Sequence, residues 1–482
     1  MLRSSDSDYS SYASEKDVTS VFEEVIIIIL FIALATLLRF WNLGTWSFWA
    51  DVIFTVQDSI KLPDTMPINP IIYMIIQSIF SKFGASEWSA RLGPCIIGIL
   101  SIPFIYWIAR RMFGSITGII ASLLLVIHPW HIYWSQNARS YSLAFLLEGL
   151  SAFLFYEALE KNKIIYIFGS LLLTVLSIFS YLHCVLLLPV FLGYVILLPF
   201  LPVNIPKGLN QRNLLIFFVP FILALSSLAL PSVREYVYSG WGSNEWGRDA
   251  LYILFTIVYS LGIPFSTASL LGGIHSLAYL NRGGLFLICY ALIPLVIILA
   301  MSSFLNIAGY YLFFTMPAYL ILAALSASEL LSYASRSSRI LSSAILLILV
   351  ISLIAQTYLY FTVENGGREK WKDAFQSISG KVDKNDYVVI PITRVGEYYL
   401  QKSNLLQLES VIGSLESFKS TWIKEKRNVW FVIDEPSLNV LDPQQKFSEW
   451  LYANGHLVKD FPVYARVMDR TIKVWHLSQN NQ

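Results

Sequence analysis

Long apolar runs separated by short polar segments extend from Val25 to Phe361. The hydrocarbon core of a bilayer is about 30 Å thick, and a helix needs about 20 mostly apolar residues to cross it. The runs therefore predict a mostly α, polytopic membrane protein with about eleven transmembrane helices. We place them at approximately 22–40, 89–109, 113–130, 141–160, 164–182, 183–200, 213–231, 250–266, 284–301, 309–332 and 338–361.

The hydrophobic stretch 68–84 is not assigned as a span. It contains Asn69, Pro70 and Gln77 and ends at Lys82, and counting it would break the alternation of charge between successive loops. We expect a helix that lies at the membrane interface or is partly embedded.

The pattern changes after Phe361, where the chain becomes rich in charged and amide side chains. Short apolar runs at 388–390 and 429–433 predict buried strands. The predicted organisation is a polar N-terminal tail over 1–21, a membrane domain over 22–362 and a soluble α/β domain over 363–482. External loops of the membrane domain are expected at 41–88, 131–140 and 232–249.

The charged residues predict how the spans are oriented in the membrane and argue against nucleic acid as a partner. The net charge is only +2, with no run of Lys and Arg on one face, so the sequence gives no basis for nucleic-acid binding. Basic side chains concentrate in alternate loops, which predicts a cytoplasmic N-terminus and an extracytoplasmic C-terminal domain. They are Arg110, Arg111, Lys161, Lys163, Lys207, Arg212, Arg282, Arg336 and Arg339. Tryptophans in the opposite loops, among them Trp41, Trp46, Trp130 and Trp134, are expected to anchor the protein at the membrane interface.

Asp51 is the carboxylate of interest in the first external loop, where it lies among aromatic and aliphatic residues. A partly desolvated carboxylate is a better proton acceptor than a free surface aspartate, so Asp51 is a candidate general base. The alternative is that Asp51 caps a short interfacial helix.

Arg139 lies in the second external loop, where the next span begins. An arginine at this depth either extends to lipid headgroups or binds a buried phosphate or carboxylate. His128 and His131 are three residues apart, but no acidic or thiol side chain stands near them in the sequence, which favours hydrogen-bonded histidines over a metal site.

Eight short motifs follow one another in a definite order along the chain. They are Leu-Arg-Phe-Trp-Asn-Leu-Gly at 38–44, Trp-Ala-Asp at 49–51, Asn-Pro-Ile-Ile-Tyr at 69–73, Glu-Trp-Ser-Ala-Arg-Leu at 87–92, Arg-Arg-Met-Phe-Gly at 110–114, Ser-Gln-Asn-Ala-Arg-Ser-Tyr at 135–141, Tyr-Tyr-Leu-Phe-Phe-Thr-Met-Pro at 310–317 and Lys-Trp-Lys-Asp-Ala at 370–374. In this order they resemble the GT-C membrane glycosyltransferases of the dolichyl-phosphate-mannose protein mannosyltransferase and lipid A aminoarabinose transferase type. The resemblance covers nearly the whole chain.

The resemblance implies transfer of a sugar, with inversion, from a polyprenyl-phosphate carrier to a protein, lipid or polysaccharide acceptor on the external face of a cell membrane. By position in the motifs, Asp51 would take the acceptor's proton and Arg139 would hold the lipid phosphate. The same matching assigns Gln136, Asn69, Tyr73 and Tyr310 to substrate binding. It leaves a divalent metal open and identifies no protein side chain as a metal ligand.

Four positions differ from the pattern usual in that family. Asp51-Val52 replaces Asp-Glu, Asn69-Pro70-Ile71 replaces His-Pro-Pro, Gln136-Asn137 replaces Gln-Glu, and Tyr310-Tyr311 replaces Arg-Tyr. These differences motivate a second hypothesis, a catalytically degenerate relative that binds lipid-linked sugar or scaffolds a surface-glycan assembly complex. A transporter is disfavoured because the sequence has no inverted repeat and few ionisable groups within its spans.

Overall fold

A computed structural model describes residues 20–60, 69–239, 241, 249–332, 335–400, 404–425, 427–465 and 468–478. The polar tail predicted over 1–21 lies outside the described residues, except for Ser20 and Val21. Parts of two predicted loops, 61–68 and 242–248, also lie outside them.

Helices make up the chain as far as residue 362. They are α1 Val21–Phe40, α2 Ala50–Ile60, α3 Pro70–Phe83, α4 Glu87–Phe113, α5 Ser115–Val126, α6 Pro129–Ser135, α7 Tyr141–Lys161, α8 Ile164–Ser180, α9 Leu187–Leu197, α10 Gln211–Leu225, α11 Pro231–Ser239, α12 Ala250–Leu261, α13 Ile263–Ala278, α14 Arg282–Met301, α15 Met316–Ser332 and α16 Arg336–Thr362. Short 3-10 helices at Leu182–Leu186 and Gly309–Thr315 lead into α9 and α15.

The predicted spans fall on these helices. Within the described residues, eight helical segments are long and apolar enough to cross a membrane, and two bent pairs, α5 with α6 and α12 with α13, raise the number to ten. The predicted span at 164–182 is α8, which has 17 residues and is therefore about 25 Å long. The stretch 68–84 forms α3, whose 14 residues extend about 21 Å, too short to span the bilayer.

Proline and glycine explain both bent pairs. The bend of 62° between α5 and α6 occurs where Pro129 follows His128, because a proline pushes the residue before it out of helical conformation. The bend of 96° between α12 and α13 occurs at Gly262, whose φ of 84° favours glycine, and Pro264 follows in the first turn of α13. The predicted loop 131–140 is accordingly half helical.

The described chain divides into two compact units. The first consists of residues up to Trp41, together with Pro63–Ile75 and Gly93–Ala355. The second consists of Asn42–Leu62, Ile76–Leu92 and Gln356–Gln482. The C-terminal segment thus belongs to the same unit as most of the first predicted external loop.

A buried arginine ties α1 to the end of α5 inside the first unit. Arg39 is fully buried, and its guanidinium donates to the carbonyl oxygens of Leu125 and Val126, both at 3.1 Å. The same guanidinium lies 2.8 Å from Nδ1 of His131. A cation is favourable at the carboxyl end of α5, where carbonyl groups lack helical partners.

The second unit contains the α/β fold expected from the sequence. Its elements are α17 Trp371–Ile378, β1 Tyr387–Ile390, α18 Thr393–Leu400, β2 Leu405–Gln407, α19 Leu408–Gly413, α20 Leu415–Glu425, β3 Val429–Asp434, α21 Glu435–Leu441, α22 Lys446–Asn454, β4 His456–Phe461, β5 Tyr464–Ala465, β6 Met468–Asp469 and β7 Ile472–Leu477. The main sheet has the order β2-β1-β3-β7-β4, in which β1 is parallel to β2 and β3 while β7 is antiparallel to β3 and β4. The strands predicted at 388–390 and 429–433 are β1 and β3.

Candidate functional site

The segment that precedes Asp51 is held by contacts to its backbone. Arg91 is buried and donates to the carbonyl oxygens of Leu43 at 2.8 Å and Ser47 at 2.9 Å. The backbone N–H of Phe48 donates to the hydroxyl of Tyr399 at 2.7 Å, and the N–H of Lys372 donates to the Ser47 hydroxyl at 2.9 Å. These hydrogen bonds fix the position of the loop from which α2 begins.

Asp51 is half-buried in the first turn of α2. Its carbonyl oxygen accepts a hydrogen bond from the Thr55 hydroxyl at 3.0 Å. The guanidinium of Arg394 on α18 lies 4.5 Å from the ring of Phe54, so α18 packs on the helix that carries the carboxylate. A carboxylate in a first turn interacts favourably with the helix dipole, which fits the alternative that Asp51 stabilises its own helix. The placement is equally compatible with a base.

Arg139 lies in the turn between α6 and α7, in the first unit. It is half-buried, and its backbone N–H donates to the Asn137 carbonyl at 2.7 Å. Gln136 of the same turn is fully buried, and its side-chain amide donates to three carbonyl oxygens at the end of α1: Leu38 at 3.2 Å, Arg39 at 3.0 Å and Trp41 at 2.7 Å. The Gln136 amide nitrogen therefore caps a helix.

A series of aromatic rings extends from this turn. Trp134 stacks on Tyr141 with centroids 3.6 Å apart, and Tyr141 lies 4.9 Å from Tyr181. The Tyr310 ring is 5.7 Å from Trp134 and 6.0 Å from Tyr141. Tyr181 in turn lies 4.8 Å from the imidazole of His183. We call Trp134, Tyr141, Tyr181, His183 and Tyr310 the aromatic cluster; it brings Tyr310 beside the turn that carries Arg139.

His183 and Asn137 bring unused hydrogen-bonding atoms to this region. His183 is 3% exposed, and neither of its ring nitrogens has a hydrogen-bond partner among the residues that the structure describes. The side-chain oxygen and nitrogen of Asn137, 1% exposed, are likewise unsatisfied within that part of the chain. An unsatisfied buried polar group costs about 1–3 kcal/mol, so such atoms mark a place where a polar ligand or water is favoured.

Asn69 connects the start of α3 to the aromatic cluster. Its side-chain oxygen accepts from the backbone N–H of Leu182 at 3.0 Å, next to Tyr181 and His183. Its φ of 68° lies in the left-handed region, which asparagine tolerates better than most residues. Tyr73 follows about one turn later on α3 and is half-buried. Asn69, Gln136, Arg139 and Tyr310 thus converge in the first unit, whereas Asp51 belongs to the second.

Sequence reasoning missed His183, although a signal was present. The predicted spans 164–182 and 183–200 meet at this residue, and the structure places a 3-10 helix over Leu182–Leu186 there. A histidine at the junction of two apolar runs interrupts the apolar pattern at a defined place. Its burial among rings was not foreseeable, because Tyr311 and Trp241, whose centroids lie 4.2 and 4.7 Å from its own, are distant in the sequence.

The interpretation of the tryptophans as interfacial anchors is wrong for three of them. Trp46, Trp130 and Trp134 are 6, 9 and 2% exposed because other side chains of the protein cover them, whereas Trp41 is 57% exposed. Trp46, for example, packs against Tyr360 with centroids 5.5 Å apart.

Metal ligands do not converge in the described part of the chain. No three His, Cys, Asp or Glu side chains lie together there in a way that could hold an ion. Among the described contacts, His131 is engaged by Arg39, and His128 accepts from the N–H of Trp130 at 3.3 Å.

Residues 66–226 match the sequence profile of the dolichyl-phosphate-mannose-protein mannosyltransferases. The matched region includes Asn69, Tyr73, Gln136, Arg139 and His183, and it begins after Asp51. No curated protein matches the chain at the level of sequence.

Solved structures match over most of the chain. ArnT from Cupriavidus metallidurans in the apo state has a TM-score of 0.59 at 14% identity, covering 93% of this chain and 97% of ArnT. The same protein bound to undecaprenyl phosphate has a TM-score of 0.56 at 15% identity with the same coverage. The Archaeoglobus fulgidus oligosaccharyltransferase in the apo form has a TM-score of 0.59 at 12% identity, covering 86% of this chain and 70% of that one. The chain therefore has the fold of the GT-C membrane glycosyltransferases.

Proposed function

We propose that the chain is an inverting glycosyltransferase that moves a sugar from a polyprenyl-phosphate carrier to an acceptor on the extracytoplasmic face of the membrane. The observation that carries the proposal is that Asn69 and the turn that carries Arg139 lie beside the aromatic cluster, whose members include Tyr310 and the ring of His183, unsatisfied within the described residues. Aromatic faces beside hydrogen-bonding groups suit a sugar, and a guanidinium suits a phosphate. The family profile and the ArnT structure with undecaprenyl phosphate support the same donor class.

The proposed chemistry uses two side chains. Asp51 accepts the proton of the acceptor's nucleophilic group as that group bonds to the anomeric carbon. The bond between this carbon and the phosphate oxygen breaks on the opposite face, and its electron pair leaves with the phosphate. Arg139 pairs with the negative charge that develops there, which is where a cation accelerates the reaction.

The test is release of free polyprenyl phosphate by the purified full chain from a panel of radiolabelled polyprenyl-phosphate sugars. We expect Asp51→Asn and Arg139→Ala to abolish release, and Arg139→Lys to retain part of it because a lysine keeps the charge but loses the bidentate contact. Asp58→Asn is the matched control, since Asp58 is also half-buried on α2, two turns further along. Full activity of Asp51→Asn would remove Asp51 as the base.

The second hypothesis, a catalytically degenerate binding relative, is favoured by Val52 and Asn137, which stand where the family usually has carboxylates. It predicts that the native chain binds polyprenyl-phosphate sugars with measurable affinity and releases no polyprenyl phosphate with any acceptor. Binding and release measured on the same preparation distinguish the two functions.

We also propose a cytoplasmic N-terminus and an extracytoplasmic C-terminal domain, from the distribution of basic residues in the loops. Labelling of single cysteines introduced at Lys163 and at Lys459, with a reagent that does not cross membranes, tests this orientation. Only the cysteine at 459 should react in intact cells, and the reverse result would invert the topology.

A further inference from the structure

A cavity lies near the end of α7 that is remote from Arg139. Helix α7 begins just after Arg139, and its 21 residues end at Lys161, about 30 Å away. At that end the carboxyl ends of α4 and α7 and the start of α8 enclose a cavity of about 250 Å³. Its described lining consists of Trp107, Arg110, Arg111, Phe153, Leu154, Glu157 and Tyr166. We call this cavity the basic pocket.

Charge in and around the basic pocket favours an anion. Glu157 is the single carboxylate in the described lining, and Lys161 already contacts it. The Nε atom of Arg111 lies 3.9 Å from Glu157, at the outer limit of an ion pair, and the Arg111 side chain is 54% exposed. The ammonium groups of Lys161 and Lys163 each lie 5.9 Å from the ring of Tyr166. Arg110 of the lining pairs with the buried carboxylate of Glu24 at 2.9 Å. The four cations Arg110, Arg111, Lys161 and Lys163 therefore outnumber the two carboxylates Glu24 and Glu157.

Apolar surface runs away from the basic pocket along two of its helices. On α4, Leu100, Phe104 and Trp107 are spaced four and three residues apart and are exposed. On α8, Ile165, Phe168 and Leu172 are spaced three and four residues apart and are also exposed. These spacings place each set on one face of its helix. Both stripes lead from the charged end of the helix toward its middle, which in a spanning helix is the hydrocarbon core.

We propose that the basic pocket binds the headgroup of an anionic membrane phospholipid, with the acyl chains lying along the two apolar stripes. The headgroup phosphate would pair with Arg111 and Lys163, and Trp107 would cover the junction between headgroup and chains, as aromatic rings do at membrane interfaces. The site is independent of sugar transfer, because it shares no residue with the aromatic cluster, with the turn that carries Arg139 or with Asp51.

The test is native mass spectrometry of the purified full chain, titrated with phosphatidylglycerol, with phosphatidylcholine of the same chains, and with inorganic phosphate. We expect phosphatidylglycerol to bind at least about tenfold more tightly than phosphatidylcholine, a preference that Arg111→Gln and Lys163→Gln each reduce severalfold. Arg212→Gln is the matched control: it makes the same change in charge at the same end of the bundle but outside the pocket.

A third variant is expected to strengthen lipid binding, so that a loss of binding in the first two cannot simply be attributed to misfolding. Glu157→Gln removes the carboxylate of the lining and is expected to strengthen phosphatidylglycerol binding, which damage to the fold would not do. Equal affinity for the two lipids in the native chain, or an equal loss in Arg212→Gln, would overturn the proposal. Phosphate binding as tightly as phosphatidylglycerol would identify a free-anion site and also overturn it.

Discussion

The hydrogen bond from the Phe48 N–H to the Tyr399 hydroxyl, 2.7 Å long, makes a prediction about how the C-terminal segment positions Asp51. Phe48 immediately precedes Trp49, whose carbonyl oxygen accepts from the N–H groups of Val52 and Ile53 and so begins α2. Any shift of Phe48 is therefore transmitted to the first turn of the helix that carries the proposed base. Tyr399→Phe removes the acceptor and leaves a partly buried N–H unsatisfied.

The cost of that unsatisfied N–H is about 1–2 kcal/mol, the lower part of the range for buried donors, because Phe48 N is only partly buried. If the whole of this free energy is added to the activation barrier because the loop leaves its productive position, transfer slows by about fivefold to 30-fold, since about 1.4 kcal/mol corresponds to a factor of ten. The loss should appear in kcat and leave KM for the donor nearly unchanged, because Phe48 and Tyr399 belong neither to the aromatic cluster nor to the turn that carries Arg139.

Tyr398→Phe is the matched control for this prediction. Its ring also lies near Phe48, with centroids 5.6 Å apart, but its hydroxyl makes no hydrogen bond within the described residues. Initial rates of polyprenyl phosphate release over a range of donor concentrations measure kcat and KM for both variants. The reasoning fails if Tyr399→Phe transfers sugar at the native rate, or if Tyr398→Phe loses as much.

Three further predictions concern single buried groups. Burial and the nearby Glu369 raise the pKa of Asp434 to about 6, so ionisation of its carboxyl group destabilises the fold. This destabilisation is absent below about pH 4, develops as the pH rises from about 4 to 6, and is complete above about pH 6. Asp434→Asn should therefore raise the thermal unfolding midpoint at pH 8 and leave it nearly unchanged at pH 4. Arg39→Met should lower the unfolding free energy by about 3 kcal/mol or more, measured by thermal unfolding in detergent, because two buried carbonyl oxygens lose a charged donor. His183→Phe should raise KM for the donor sugar about tenfold in the release assay, whereas His183→Gln, which keeps hydrogen-bonding atoms, should raise it less.

The helices of the membrane domain could be predicted because their lengths follow from a simple physical limit. A run of apolar residues must be long enough to cross the bilayer core, and both the spans and the short α3 follow from counting residues. The bends were not predicted. Gly262 and Pro129 are visible in the sequence, but the angle that each produces depends on the helices packed around it.

The candidate site could be predicted as a set of residues but not as an arrangement. Asp51 and Arg139 were identified from their chemical type and their position next to a span. The hydrogen bond between Phe48 and Tyr399, which holds the loop before Asp51, was not foreseen. The two residues are 351 positions apart, and neither has an unusual neighbourhood in the sequence. Likewise, the unsatisfied atoms of His183 and Asn137 can be recognised only once their burial is known.

Several residues of the motifs that suggested the family have a structural role in the fold. Arg39 and Arg91 come from two different motifs, and each binds backbone carbonyl oxygens inside the protein; Gln136, from a third, does the same. A buried polar side chain must satisfy its donors, and loops or helix ends that supply unpaired carbonyl oxygens require such a donor in return. These residues would be needed by this fold whether or not it transfers sugar, so their presence is evidence for architecture. The case for chemistry therefore depends on Asp51 and Arg139, and substitutions at these two positions are the ones that can separate a transferase from a binding protein of the same fold.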